Sequence, residues 1–117
     1  MKGVVWGTTT DRAKHKIKEI IKNYEMYRIK ITQKRETMDS ISVVFENGDS
    51  WRTARASENS RGIKAHVSYV DVLVDPDIFR CIVRPCTELG PYNALNFYHP
   101  YDYDWTQKEN PYLKFIK

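Results

Sequence analysis

Cysteine is scarce. Cys81 and Cys86 are the only two, and neither has a second Cys or a His pair at metal-ligand spacing, so a structural zinc site is not expected. The sequence assigns the cysteines as small core residues, one or both. His15, His66 and His99 are scattered, and none is followed by a matching ligand three or four residues on. Long apolar runs are missing as well. No window approaches the ~20 residues of a membrane span, and Met1 to Trp6 is too short for the apolar core of a signal peptide. A cytoplasmic protein with no membrane partner is the expectation. Internal repeats and low-complexity tracts are absent, and 41% apolar with 29% charged residues excludes a disordered or fibrous chain.

What remains is 117 residues and 13.8 kDa, the size of one domain, large enough to bury roughly two-thirds of its unfolded surface. Charge is unevenly spread. Residues 1–64 carry fourteen Lys and Arg against eight acids, whereas residues 65–117 carry five against seven. A basic half of formal charge +6 and a half of charge −2 steer anions toward one side.

Gly3-Val4-Val5-Trp6 predicts a short strand buried on both faces and ending at Gly7. Thr8-Thr9-Thr10-Asp11 then supplies hydroxyl caps and a first-turn acid. Ala13, Ile17, Ile20, Ile21 and Tyr24 recur on one stripe, which predicts a helix over about residues 10–24 with lysines on its wet side. Tyr27, Ile29 and Ile31 alternate with polar residues and predict a strand; so do Ile41, Val43 and Phe45. Asn47-Gly48 predicts a type I′ hairpin turn, with Ser50 to Ala56 returning. A further strand covers Val67 to Val70 and ends at Asp71. Asp75-Pro76 opens a second helix, with Ile78, Phe79, Ile82 and Val83 on its apolar side and Pro85 at its end. Eight of the fifteen aromatic residues follow position 91. The expected architecture is α/β or α+β: one layered domain with a mixed central sheet of about five strands and two helices. Residues 1–90 form its core, the first strand is central, and residues 91–117 form an extended aromatic tail packed on it.

A buried strand, a Gly-Thr turn and the start of a basic helix make an anion-favouring arrangement, because free N–H groups and the helix dipole converge there. Gly7, Thr8, Thr9, Thr10 and Arg12 are the residues concerned. A phosphate loop of the Walker A type needs a glycine-rich stretch and a Lys-Ser/Thr pair, and neither is present. Ordinary helix capping explains the same residues without a ligand.

Three later segments, Phe45 to Ser50, Ala56 to Gly62 and Ile63 to Asp71, make the chain resemble the ATPase domain of phage large terminases and their helicase-like relatives. In that family a hairpin precedes an Arg-Gly pair, and a short basic link leads to an apolar strand ending in the Walker B Asp. The resemblance implies that Asp71 is the metal-side carboxylate, that Arg61 and Gly62 mark the turn before its strand, and that Gly7 to Arg12 replace the phosphate loop. A nucleotide and magnesium are the cofactors it would imply. Two departures stand against activity. The phosphate-gripping Lys has no counterpart, the nearest cations being Arg12 and Lys14, and Val72 follows Asp71 where the family has its catalytic Glu. Phosphoryl transfer needs both groups, so the resemblance implies a shrunken, inactive relative.

The expectation is therefore a non-catalytic binding protein of phage or mobile-element origin that occupies a protein partner, for instance as an inhibitor. A nucleic-acid-binding domain is the alternative, with Lys14, Lys18, Lys22, Arg52, Arg55, Arg61 and Lys64 as the contact surface. Arg52 and Arg55 have opposite parity on a strand and share a face only if a bulge intervenes. A variant nucleotide hydrolase is the third reading. Tyr98, Tyr101, Tyr103 and Trp105 form a candidate aromatic interface, or a cover for a sheet edge. Asp102 and Asp104 share a side if extended, though no burial cue marks them as a catalytic pair.

Overall fold

The computed structural model describes residues 1–57, 63–87 and 94–98. Its elements are β1 (Lys2–Gly7), α1 (Thr10–Met26), β2 (Ile31–Glu36), β3 (Ile41–Phe45), β4 (Ser50–Arg55) and β5 (Val67–Asp71). A second helical segment follows: α2 (Pro76–Ile78), a π-helical stretch (Phe79–Val83) and α3 (Arg84–Cys86), before β6 (Ala94–Tyr98). The sheet order is β2-β3-β4-β1-β5-β6. Strands β4, β1, β5 and β6 are parallel, while β3 runs antiparallel to β4 and β2 antiparallel to β3.

The first strand is central, and Val4, Val5 and Trp6 are wholly buried. Its alternation feeds two cores. Val5 packs with Ala13, Ile17, Ile20 and Ile21 of α1, with Ile41, Val43 and Phe45 of β3, and with Trp51. Val4 and Trp6 pack on the opposite face with Val70, Val72, Phe79, Ile82 and Val83. Three layers result, α1 on one face and the second helical segment on the other. Each fully buried Ile or Phe contributes about 1.5–3 kcal/mol. A chain of buried hydroxyls ties the second face together: Trp6 Nε1 donates to Ser68 Oγ at 3.1 Å, and Ser68 Oγ lies 2.7 Å from Thr87 Oγ1.

Helix α1 begins where its caps predict, with Thr9 Oγ1 accepting from the Arg12 N–H at 3.3 Å. Its end differs from the expected strand at Tyr27. Arg28 takes φ 60°, its N–H bonds to the Glu25 carbonyl, and the Ile29 N–H reaches back to Tyr24. This is a Schellman cap, and Ile29 is its apolar contact with Tyr24 rather than a strand residue. The strand instead starts at Ile31 and runs through Thr32 to Glu36, all exposed. A polar edge strand needs only backbone pairing on one side, and its charges discourage pairing on the other.

The Asn47-Gly48 hairpin forms, with a different turn. Only Gly48 has positive φ, at 92°, and the Gly48 N–H bonds to the Phe45 carbonyl at 3.0 Å, so the loop is a type I turn closed by a glycine bulge. Asp75 caps α2, accepting from the Asp77 N–H at 2.8 Å. Pro85 does not end the helical segment. The preceding turn widens, with the Arg84 N–H bonding to Phe79, which relieves the clash between a proline ring and the carbonyl four residues back. Cys86 is a core residue and Cys81 is exposed, and the two are not joined in a disulfide. The sheet has six strands rather than about five, because Ala94–Tyr98 in the aromatic segment pairs with β5. Among the described residues, no helix is long and apolar enough to cross a membrane.

Candidate functional site

Parallel pairing of β1 with β5 sets Trp6 against Val70, so the next residues, Gly7 and Asp71, end side by side at the carboxyl edge of the sheet. Open α/β sheets bind ligands at that edge. Here the two strand ends bind each other. Thr8 Oγ1 donates to Asp71 Oδ2 at 2.8 Å, the Thr8 N–H reaches the same oxygen at 3.4 Å, and the Leu73 N–H donates to Oδ1 at 2.9 Å. Asp71 has 0% of its surface exposed. Both carboxylate oxygens are committed to donors of the chain itself.

The connection from β1 to α1 is two residues, Thr8 and Thr9, and Thr9 is occupied in capping. Gly7 is needed because the chain turns hard against the helix: a Cβ there would lie 2.7 Å from the Thr9 carbonyl oxygen and 2.9 Å from Ala13 Cβ. The first turn of α1 follows at once. Thr10 opens that turn. Arg12 follows, with Nη1 buried and without a hydrogen-bond partner. Its charge acts on Tyr98, whose hydroxyl donates to the Trp6 carbonyl at 2.8 Å. Burial drives the Tyr98 pKa far above that of an ordinary tyrosine, Asp71 raises it further, and Arg12 partly offsets both.

Above Thr8 lies an open crevice of about 610 Å3, with Arg55, Ser57, Leu73, Asp75 and Ile78 among its walls. The structure thus brings together Gly7, Thr8, Thr9, Thr10, Arg12 and Asp71, and adds Arg55 at the rim. Leu73 and Asp75, neither a candidate in the sequence, complete the arrangement. Magnesium does not fit. It keeps several waters and is held through one or two carboxylates, whereas Asp71 is fully buried with both oxygens taken by Thr8 and Leu73. Val72 is also buried, 2% exposed, in the Val4–Phe79 core, so the position after Asp71 faces away from the crevice.

The remaining candidates disperse. Lys14 turns from the loop to the Thr37 carbonyl and lies 3.9 Å from Glu36. Lys18 and Lys22 are exposed on the outer side of α1. Arg52 faces the other side of the sheet, where Lys64 joins it. Register along β4 is regular, so Arg52 and Arg55 point to opposite faces, and the described basic candidates do not form one surface. Tyr98 is 7% exposed; it is a core residue holding Trp6, not part of an aromatic interface. Arg61, Tyr101, Tyr103 and Trp105 lie outside the described residues, as do Asp102 and Asp104.

With this geometry in view, comparison with known proteins adds one likeness. No family model matches the sequence, and no curated protein matches it. Among solved structures, the fold is similar to the large terminase of a thermophilic bacteriophage, with TM-score 0.56 and 12% identity. The likeness covers 84% of this chain and 24% of the terminase. This is a terminase-like fold. The chain spans about a quarter of the terminase's length, and at this identity the likeness concerns the fold alone.

Proposed function

We propose that this chain is a non-catalytic binding protein on a degenerate terminase-like nucleotidase scaffold, of phage or mobile-element origin, that acts by occupying a protein partner. The observation that carries it is the self-satisfied strand end. The Thr8-Thr9 connection is two residues long and holds neither glycine nor lysine, and the Asp71 carboxylate is bonded to Thr8 and Leu73. Hydrolysis needs a phosphate clamp, a metal and an oriented water; no lysine lies between Gly7 and Thr10, and Val72, not an acid, follows Asp71. A scaffold relieved of chemistry works by surface. Met26 and Tyr27, consecutive at the end of α1, are 78% and 80% exposed, and large exposed side chains of this kind serve as anchors in protein interfaces.

The test is affinity capture by the tagged chain from lysate of phage-infected bacteria, with a Met26→Ser/Tyr27→Ser variant beside it. The proposal expects a stoichiometric protein lost from the variant. Capture of none, or of one indifferent to the variant, contradicts it.

A further inference from the structure

The second helical segment covers only part of its sheet face. Its core cluster draws on β1, β4, β5 and β6 and includes no residue of β2 or β3. Strand register shows what the described residues leave uncovered. Arg35, Ser42, Arg52 and Val4 form one cross-strand row, and Gln33, Val44, Ser50 and Lys2 form the next. Partners in register present their side chains on the same face, so both rows lie opposite α1. Lys64, from the connection into β5, closes one side of a shallow groove of about 470 Å3 over these strands.

Four cations face this surface: Lys2, Arg35, Arg52 and Lys64, all exposed. None of them forms a salt bridge among the described residues, and none of the residues lining the groove is acidic. Arg52 makes one internal hydrogen bond, a 3.5 Å contact from Nε to the Thr53 carbonyl. Arg35 and Arg52 flank β3 and so stand about 10 Å apart, two strand spacings. That is close to the Debye length at 0.1 M salt, so their fields add. Ser42 and Ser50 set hydroxyls between the cations.

We infer that this open basic sheet face binds the phosphate backbone of duplex nucleic acid without regard to sequence. Unopposed cations on a polar, shallow surface match the chemistry that dominates such binding, in which counterions are released as phosphates are neutralised. The described face carries no exposed aromatic ring. That disfavours single strands, which are held by stacking on such rings. It equally disfavours a protein partner, whose interface needs buried anchors. The inference is independent of the strand-end crevice and of the Met26–Tyr27 pair, which lie elsewhere on the molecule.

The experiment is fluorescence anisotropy of the full chain with labelled duplex DNA of two unrelated sequences, titrated across salt. Each neutralised phosphate contributes about −0.9 to the slope of log K against log salt, so four contacts give about −3.6, equal for both sequences. Arg52→Gln/Lys64→Gln should flatten the slope by about 1.8 and weaken binding roughly 10- to 100-fold at about 0.1 M salt. Both side chains are exposed, so the fold is retained, and unchanged circular dichroism checks this. Lys18→Gln/Lys22→Gln, on the outer side of α1, should leave the slope as it was. Absence of binding at about 50 mM salt overturns the inference. So does a loss that follows the α1 pair, tighter binding of single strands, or equal binding of polyglutamate.

Discussion

The Thr8 hydroxyl and the Asp71 carboxylate meet at 2.8 Å and join two neighbouring parallel strands at their carboxyl ends. The contact links residues 63 positions apart and completes the hydrogen bonding of an acid that has no access to water. In this protein the two strand ends satisfy each other and form a structural clasp.

Thr8→Val keeps the shape and removes the hydroxyl, leaving Asp71 Oδ2 a single 3.4 Å contact to the Thr8 N–H. A loss of about 1–2 kcal/mol is expected. Asp71→Ala removes the acceptor of the Thr8 and Leu73 donors in a part-buried site and leaves a cavity, and should lose about 2–4 kcal/mol. Urea denaturation measures both. Values within about 0.5 kcal/mol of the parent would mean that the clasp contributes nothing.

Arg28 occupies the left-handed position of the α1 cap at φ 60°, where glycine is at ease and a residue with a Cβ is strained. Arg28→Gly should stabilise the fold by about 0.5–1 kcal/mol, whereas Arg28→Ala should change little. A higher denaturation midpoint for the glycine variant alone is the signature.

Gly3 and Gly7 each serve a close approach. A Cβ on Gly3 would lie 2.3 Å from the Trp51 ring, and one on Gly7 2.7 Å from the Thr9 carbonyl oxygen. Gly3→Ala and Gly7→Ala should each cost about 1–3 kcal/mol through overpacking. Only the first should alter the near-ultraviolet signal of Trp51, because Gly7 touches backbone rather than an aromatic ring.

High pH should loosen the fold through Tyr24. Burial, only partly offset by the Trp51 hydrogen bond and reinforced by Asp49, pushes its pKa up from 10.0 to about 12. The unfolded chain releases this proton near pH 10 while the folded chain holds it. Stability is therefore fully present below about pH 10 and falls as pH rises toward 12. Tyr98, shifted in the same direction by burial, adds to the fall. Urea midpoints at about pH 9 and about pH 11.5 report it. Tyr24→Phe should lessen the pH dependence and lower stability at every pH, since Trp51 Nε1 and Asp49 lose their partner.

Local signals are legible in the sequence, and long-range ones are not. Val4 to Trp6, the Thr9 cap, the stripe from Ala13 to Tyr24, Asn47-Gly48 and Asp75-Pro76 each act within a few residues, and each element forms. Ile29 misleads because an apolar residue two places after a helix end fits a Schellman contact as well as a strand. The run of β2 from Thr32 to Glu36 escapes notice because, beyond half-buried Ile31, its residues are exposed and leave no apolar period. The closeness of Gly7 and Asp71 is legible from the order of elements, since a central first strand puts both at one edge. Its chemistry is not: the Thr8 bond, the Leu73 N–H and the burial of Tyr98 arise from pairing across the sheet. The same applies to the basic residues, which strand register divides between two faces.

The most direct test of the account is magnesium-dependent ATP turnover by the purified chain, with Asp71→Asn as control. With a two-residue turn in place of a glycine-rich phosphate loop and Asp71 bonded to Thr8 and Leu73, the account predicts no turnover above the buffer rate for either protein. Turnover by the parent that disappears in Asp71→Asn would contradict it.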